Sequence, residues 1–131
     1  MMRFFVLFLF ILAAPAHAIE KCGSAKRITC AVDGDTVWLD GVKIRMEGYD
    51  TPEPQTGICG GMREKELANR ATNRLIELMS AGYTVEFAGK KGDYGRELAT
   101  IRVGGEDVGD ILIREGLARE WPDGREFWCN K

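Results

Sequence analysis

Apolar and polar residues alternate in five short segments of the chain, a pattern that predicts β-strands. The segments are, in order, 27–32, 36–39, 42–47, 84–87 and 96–103. The residues predicted to face the core include Ile28, Cys30 and Val32 in the first segment, and Val42, Ile44 and Met46 in the third. Because side chains alternate along a strand, Arg45 then projects from the polar face. The dipeptide Asp40-Gly41 joins the second and third segments as a two-residue hairpin turn.

Between the third and fourth segments, apolar residues recur every three to four positions. This spacing predicts one long helix over about 62–81. Its apolar stripe consists of Leu67, Ala68, Ala71, Leu75, Leu78 and Met79. Its solvent side is predicted to carry Arg63, Glu64, Lys65, Glu66, Arg70, Arg74 and Glu77. A short second helix is predicted at 107–115, with loops at 48–61 and 89–95. Five strands around one long helix favour an α+β fold, a partly open five-stranded Greek-key barrel of the OB type.

The N-terminal residues have the pattern of a secretory signal peptide. Arg3 precedes an apolar run over 4–14, and Ala16-His17-Ala18 is typical of a cleavage site. The alternative, a membrane anchor, needs roughly 17–25 apolar residues, which exceeds this run. We therefore expect residues 1–18 to be removed and 19–131 to form one exported domain, periplasmic or secreted, with no stable membrane association after cleavage.

The net charge and the histidine content of that domain exclude some kinds of binding and catalysis. The chain carries 18 Lys and Arg against 20 Asp and Glu, and loss of Arg3 with the leader changes the formal net charge from −2 to −3. This is not the charge of a tight non-specific nucleic-acid binder. The one histidine, His17, lies in the leader. Catalysis by the remaining residues would therefore use carboxylates, arginines, tyrosines or a hard metal.

Four cysteines remain after the leader, and an even number in a small exported domain predicts two disulfides. Three pairings are possible. The pairing of Cys22 with Cys30 and of Cys59 with Cys129 is favoured, and the first bond would require a bend at Gly23 because eight residues of straight strand hold the sulfurs too far apart. Zinc is the competing interpretation, but the spacings contain no CxxC pair.

Two acidic clusters flank the predicted hairpin. Asp33 and Asp35 precede its first strand, and Asp50 and Glu53 follow its second. Each cluster alone is typical of a turn. An EF-hand is excluded because Val37, Trp38 and Ile44 occupy positions that need a ligand or a glycine. Since a hairpin folds back on itself, Asp35 and Asp50 should meet. Oxygen ligands favour Ca²⁺ or Mg²⁺ over zinc.

The motifs DGDT at 33–36, Arg45, DTPE at 50–53 and DYGR at 93–96, in this order, resemble the staphylococcal nuclease (thermonuclease) family. The resemblance runs from about residue 28 to 118. It implies a Ca²⁺ site formed by Asp35, Asp50 and the carbonyl of Thr51, with Glu53 as the candidate general base. It also implies that Arg45 and Arg96 contact the scissile phosphate. Asp93 stands where a lysine often precedes the tyrosine, so the preference between endo- and exonuclease activity stays open.

Aromatic residues suggest how a nucleic acid would be held. Tyr94 belongs to the DYGR motif, and Trp121 is a candidate for stacking on a base; Trp128 is a second candidate. The alternative for both tryptophans is that they pack against the barrel and cover an open edge.

The predicted function is an exported, Ca²⁺-dependent nuclease, a monomer that acts on DNA and RNA and favours single strands. The alternative is a secreted OB-type module that binds single-stranded nucleic acid or an oligosaccharide without cleaving it, and a structural cell-envelope domain is a third option. The presence of Glu53 with both arginines favours the enzyme, because a binding module needs no base beside a metal.

Overall fold

The structure, a computed structural model, describes residues 19–55 and 59–129. The predicted signal peptide lies outside the described residues. The strands are β1 (Cys30–Ala31), β2 (Thr36–Leu39), β3 (Val42–Met46), β4 (Tyr49–Asp50), β5 (Thr84–Lys91), β6 (Glu97–Val103), β7 (Glu106–Asp107) and β8 (Arg119–Glu120). The helices are α1 (Gly61–Ser80) and α2 (Val108–Arg114), and a 3₁₀ turn covers Asp93–Gly95.

The main sheet has the strand order β1-β2-β3-β6-β5, with β7 paired to β6. Strands β2 and β3 form the predicted hairpin, β3 and β6 run parallel, and β5 and β6 run antiparallel. Among the described strands no pairing joins β1 to β5, so the sheet does not close into a complete barrel. The predicted fold class, a partly open OB-type barrel with α helices, is confirmed.

Helix α1 covers the sheet with the predicted apolar stripe. Ala68, Ala71, Leu75 and Met79 are buried against the core, and Leu67 and Leu78 pack at its margin. The helix begins and ends one residue earlier than predicted. The prediction that Glu64 faces solvent is wrong, because its side chain is almost completely buried in the first turn. None of the described helices is long and apolar enough to cross a bilayer.

The strand predictions need three corrections. The first strand is reduced to Cys30–Ala31, and Ile28 is 54% exposed. Val42 is also exposed. Val42 and Ile28 both lie near the tip of the β2–β3 hairpin, where the Gly41 N–H donates to the Ile28 carbonyl. The fourth predicted strand extends to Lys91 across a bulge, into the predicted loop.

A second, two-stranded sheet was not predicted. Strand β4 lies within the predicted loop 48–61 and pairs with β8 from the C-terminal segment. Two-residue strands are too short to show an alternating pattern, so the sequence gives no periodic signal for them.

All four cysteines form disulfides in the favoured pairing, Cys22 with Cys30 and Cys59 with Cys129. The chain bends at 24–25, next to the predicted Gly23. Although Glu126 lies close to Cys59 and Cys129, the two sulfurs are bonded to each other and offer no thiolate to a metal.

Candidate active site

The turn before β2 and the segment after β4 are packed against each other. The Asp33 carboxylate accepts a hydrogen bond from the Asp35 N–H (3.1 Å), which closes the turn. A Cβ on Gly34 would lie only 2.7 Å from Cγ2 of Thr51, so the close approach requires glycine. The Tyr49 hydroxyl donates to the Gly34 carbonyl (2.8 Å). These contacts bring the two acidic clusters together, as the hairpin argument predicts.

Asp35 and Asp50 converge on Arg45. Oδ2 of Asp35 accepts the Thr51 N–H at 3.0 Å and lies 3.3 Å from Nη1 of Arg45. Nη2 of Arg45 lies 3.8 Å from Oδ1 of Asp50. The Arg45 side chain is only 15% exposed, and it also donates to the Met46 carbonyl. Arg45 is therefore held on the inner wall of a cavity, outside the apolar core.

That cavity has a volume of about 480 Å³ and opens to solvent. All the predicted catalytic, metal and substrate residues except Thr51 line it: Asp35, Arg45, Asp50, Glu53, Tyr94, Arg96 and Trp121. Thr51 is buried behind the wall, where its amide holds Asp35. Asp33, which the sequence indicates mainly as a turn former, also lies on the wall.

Arg96 and Tyr94 reach the cavity from far along the chain. The parallel pairing of Ile44 with Glu97 brings the start of β6 beside β3. Arg96 donates to the Asp93 carbonyl at 3.0 Å, and its guanidinium lies 5.6 Å from the Tyr94 ring centre. The Tyr94 side chain is itself 93% exposed, so its ring is open to a ligand.

The cavity concentrates negative charge. Burial, and then the neighbouring Asp35, raises the pKa of Asp33 to about 8. Burial also raises the pKa of Asp50, although the hydrogen bond from Arg119 opposes this shift. For Glu53 the pKa is raised by burial and then by Asp35 and Asp50. Crowded carboxylates are costly unless a positive charge compensates them.

The donor set fits a hard divalent cation. Its members are carboxylate oxygens, the ligands that Ca²⁺ and Mg²⁺ prefer. The buried Thr51 hydroxyl has no hydrogen-bond partner among the described residues, so one more oxygen beside the acidic cluster is unsatisfied. Among the described residues that line the cavity there is no histidine and no cysteine.

Arg119 is a site residue that the sequence did not indicate. Its Nε donates to Oδ2 of Asp50 at 2.8 Å, its Nη1 donates to the Gly124 carbonyl, and its Nη2 lies 3.3 Å from Glu126. The guanidinium also stacks on Trp121, 5.0 Å from the ring centre. The pairing of β4 with β8 sets Arg119 opposite Asp50. No local motif signals a contact between residues so far apart in the chain.

The two candidate stacking tryptophans have different surroundings. Trp128 is buried and makes an edge-to-face contact with Phe127. Trp128 is therefore a packing residue, as the alternative interpretation held. Trp121 is 52% exposed and lines the cavity.

Fold and site together define a small OB-type domain whose carboxylates and arginines surround one open cavity. Comparison with protein families gives a match to the family described as "Staphylococcal nuclease homologue" over residues 43–126. The chain belongs to the staphylococcal nuclease family.

Three curated relatives support this assignment. The chain is 32% identical to a protein named "Thermonuclease" from Staphylococcus intermedius over 106 residues, which are 74% of this chain and 60% of the relative. It is 33% identical to "Thermonuclease" from Staphylococcus hyicus over 103 residues, 71% of this chain and 57% of the relative. It is 31% identical to "Endonuclease YncB" from Bacillus subtilis (strain 168) over 93 residues, 68% of this chain and 44% of the relative. The matched region thus spans between 44% and 60% of these relatives.

Proposed function

We propose that this protein is an exported, Ca²⁺-dependent nuclease that hydrolyses phosphodiester bonds in DNA and RNA and works as a monomer. The observation that carries the proposal is the convergence of Asp35, Asp50 and Glu53 with Arg45 and Arg96 in one open cavity. The nuclease names of the relatives are consistent with this chemistry. Export is supported by the leader sequence and by two disulfides, which form and persist outside the reducing cytosol.

The cation would be held by the Asp35 and Asp50 carboxylates together with the Thr51 carbonyl. When bound, it would neutralise phosphate charge and help to position a water molecule. Asp33 lies on the same wall and orients Asp35 by accepting its backbone N–H. Asp35 is oriented for this task by the Thr51 amide, and Asp50 by Arg119.

Arg45 and Arg96 would bind the non-bridging oxygens of the scissile phosphate. Their guanidinium groups are permanently charged and planar, which suits the charge that builds on those oxygens during attack. Glu53 would accept a proton from the attacking water. The water oxygen bonds to phosphorus, the bond from phosphorus to the leaving sugar oxygen breaks, and that oxygen takes up a proton from solvent. This route needs no covalent intermediate.

Tyr94 and Trp121 would contact the nucleotides that flank the phosphate. Both rings line the cavity and are exposed, and stacking of a base on an aromatic side chain is worth about 1–3 kcal/mol. Stacking needs an unpaired base, so we expect single-stranded substrates to be favoured.

The test is to incubate the oxidised, exported protein with denatured DNA and with RNA, in Ca²⁺ or in chelator. We expect cleavage of both polymers in Ca²⁺ and none in chelator. Absence of cleavage in both conditions would exclude the enzyme, and retention of binding to the uncut strand would then support the OB-type binding module.

A further inference from the structure

Glu64 is a buried carboxylate that the proposed chemistry does not use. Its side chain is 1% exposed, in the first turn of α1. Among the described residues no lysine or arginine forms an ion pair with it. A buried charge is strongly destabilising unless hydrogen bonds compensate its lost hydration.

Backbone amides supply that compensation. Oε1 of Glu64 accepts the N–H groups of Cys59 (3.0 Å) and Gly60 (2.9 Å). Oε2 accepts the N–H of Glu53 at 3.0 Å. One carboxylate therefore ties together both ends of the segment 53–60, and hydrogen bonds from amides to an ionised acceptor are among the stronger ones.

One end of this segment has rigid support. Cys59 is bonded to Cys129, and a Cβ on Gly60 would collide with the Trp128 carbonyl, so the C-terminal segment packs directly on this turn. Glu64 itself belongs to a helix of 20 residues, whose positive N-terminal end favours a carboxylate there. Glu64 thus connects helix α1 and the disulfide-bonded turn at Cys59 to the main chain of Glu53.

We propose that Glu64 is a positioning residue for Glu53: it fixes the Glu53 backbone so that the Glu53 carboxylate faces the cavity. This inference rests on the proposed role of Glu53 as the general base. Glu64 is buried away from the cavity and does not touch the reacting atoms.

The variant Glu64→Gln separates this role from general packing. An amide has nearly the same shape but only one acceptor oxygen. That oxygen would accept the N–H groups of Cys59 and Gly60. The side-chain NH₂ of the glutamine would then face the Glu53 N–H, and two donors cannot form a hydrogen bond with each other. The Glu53 backbone is then released while the helix start keeps its partners.

We expect Glu64→Gln to lower kcat by up to about 10²-fold, because a misplacement of about 1 Å in the base can cost that much, with little change in KM or in Ca²⁺ affinity. The matched control is Glu66→Gln, an exposed glutamate of the same helix, which should keep the wild-type kcat. If Glu64 acts through Glu53, the double variant with Glu53→Gln should be no slower than Glu53→Gln alone.

The outcomes separate the two proposals. A wild-type rate for Glu53→Gln would contradict the proposed base itself. A slow Glu53→Gln together with a wild-type rate for Glu64→Gln, or with additive losses in the double variant, would overturn the positioning role of Glu64.

A measurement on the unmodified protein keeps the inference falsifiable if the Glu64 variant does not fold. The Glu53 amide proton should exchange with solvent much more slowly than that of the exposed Gln55, two residues further on. Equal exchange at the two positions would show that Glu64 does not hold the Glu53 backbone.

Discussion

Asp35 and Glu53 lie in the same cavity but have different surroundings. The Asp35 carboxylate accepts hydrogen bonds from the Thr36 hydroxyl and from the Thr51 amide. It also forms an ion pair with Arg45. No described side chain forms a hydrogen bond or ion pair with the Glu53 carboxylate, which is half-buried and lines the cavity. A carboxylate whose orientation is fixed by hydrogen bonds suits the role of a metal ligand. A carboxylate without a described hydrogen-bond partner suits the role of a base that accepts a proton from water.

We therefore expect Asp35→Ala and Glu53→Gln to fail in different ways. Asp35→Ala should lose both Ca²⁺ binding and turnover, since it removes a proposed ligand and the nearer of the two carboxylates that pair with Arg45. Glu53→Gln should retain Ca²⁺ binding but lower kcat by about 10²–10⁴-fold, the usual contribution of a general base. Calorimetric Ca²⁺ titration and steady-state kinetics on denatured DNA measure both effects. Equal losses of Ca²⁺ affinity would contradict the division of roles.

Residues within recognisable motifs could be assigned from the sequence, because turn chemistry and strand alternation fix where they point. Arg45 and the two acidic clusters are examples. Arg119 could not be assigned. Glu64 could have been placed on the buried face, because it lies three and four residues before Leu67 and Ala68 of the apolar stripe, but its charge led to the prediction that it faces solvent. Arg119 meets Asp50 through a strand pairing without a local signature.

At the scale of elements, the β2–β3 hairpin and the parallel β3–β6 pair bring the two arginine-bearing segments together. The hairpin was predictable from its turn and its alternation. The small β4–β8 sheet was not predictable, although it positions Asp50. The side chain of Arg119 crosses this sheet to Asp50 and is only 10% exposed.

Arg119→Met should therefore destabilise the fold. It removes the nearest donor of the partly buried Asp50, which keeps Arg45 at 3.8 Å, so we expect a loss of about 1–3 kcal/mol, below the cost of breaking a fully buried ion pair. Urea denaturation measures the change. The control is Arg114→Met, whose partner Glu106 is exposed, and we expect its urea midpoint to stay almost unchanged. Equal midpoints for the two variants would show that the Arg119–Asp50 pair does not hold the β4–β8 sheet.

At the scale of the whole molecule, the two disulfides cross-link segments near the two ends of the part of the chain that the structure describes. One joins Cys22 to Cys30 across 8 residues, beside β1. The other joins Cys59 to Cys129 across 70 residues and fixes the C-terminal segment against the start of α1. Small domains bury a smaller fraction of their surface, which makes such cross-links more important for stability.

These two bonds should contribute unequally. Because a cross-link restricts the unfolded chain more when it closes a longer loop, the Cys59–Cys129 bond should stabilise the fold by about 4 kcal/mol and the Cys22–Cys30 bond by about 2.5 kcal/mol. Urea denaturation of the two paired Cys→Ser variants measures this difference.

The Cys59→Ser/Cys129→Ser variant should also lose kcat, since it frees the loop end that Glu64 ties to Glu53, whereas Cys22→Ser/Cys30→Ser should keep it. If kcat fell equally in both variants, the disulfide near α1 would have no special link to the site.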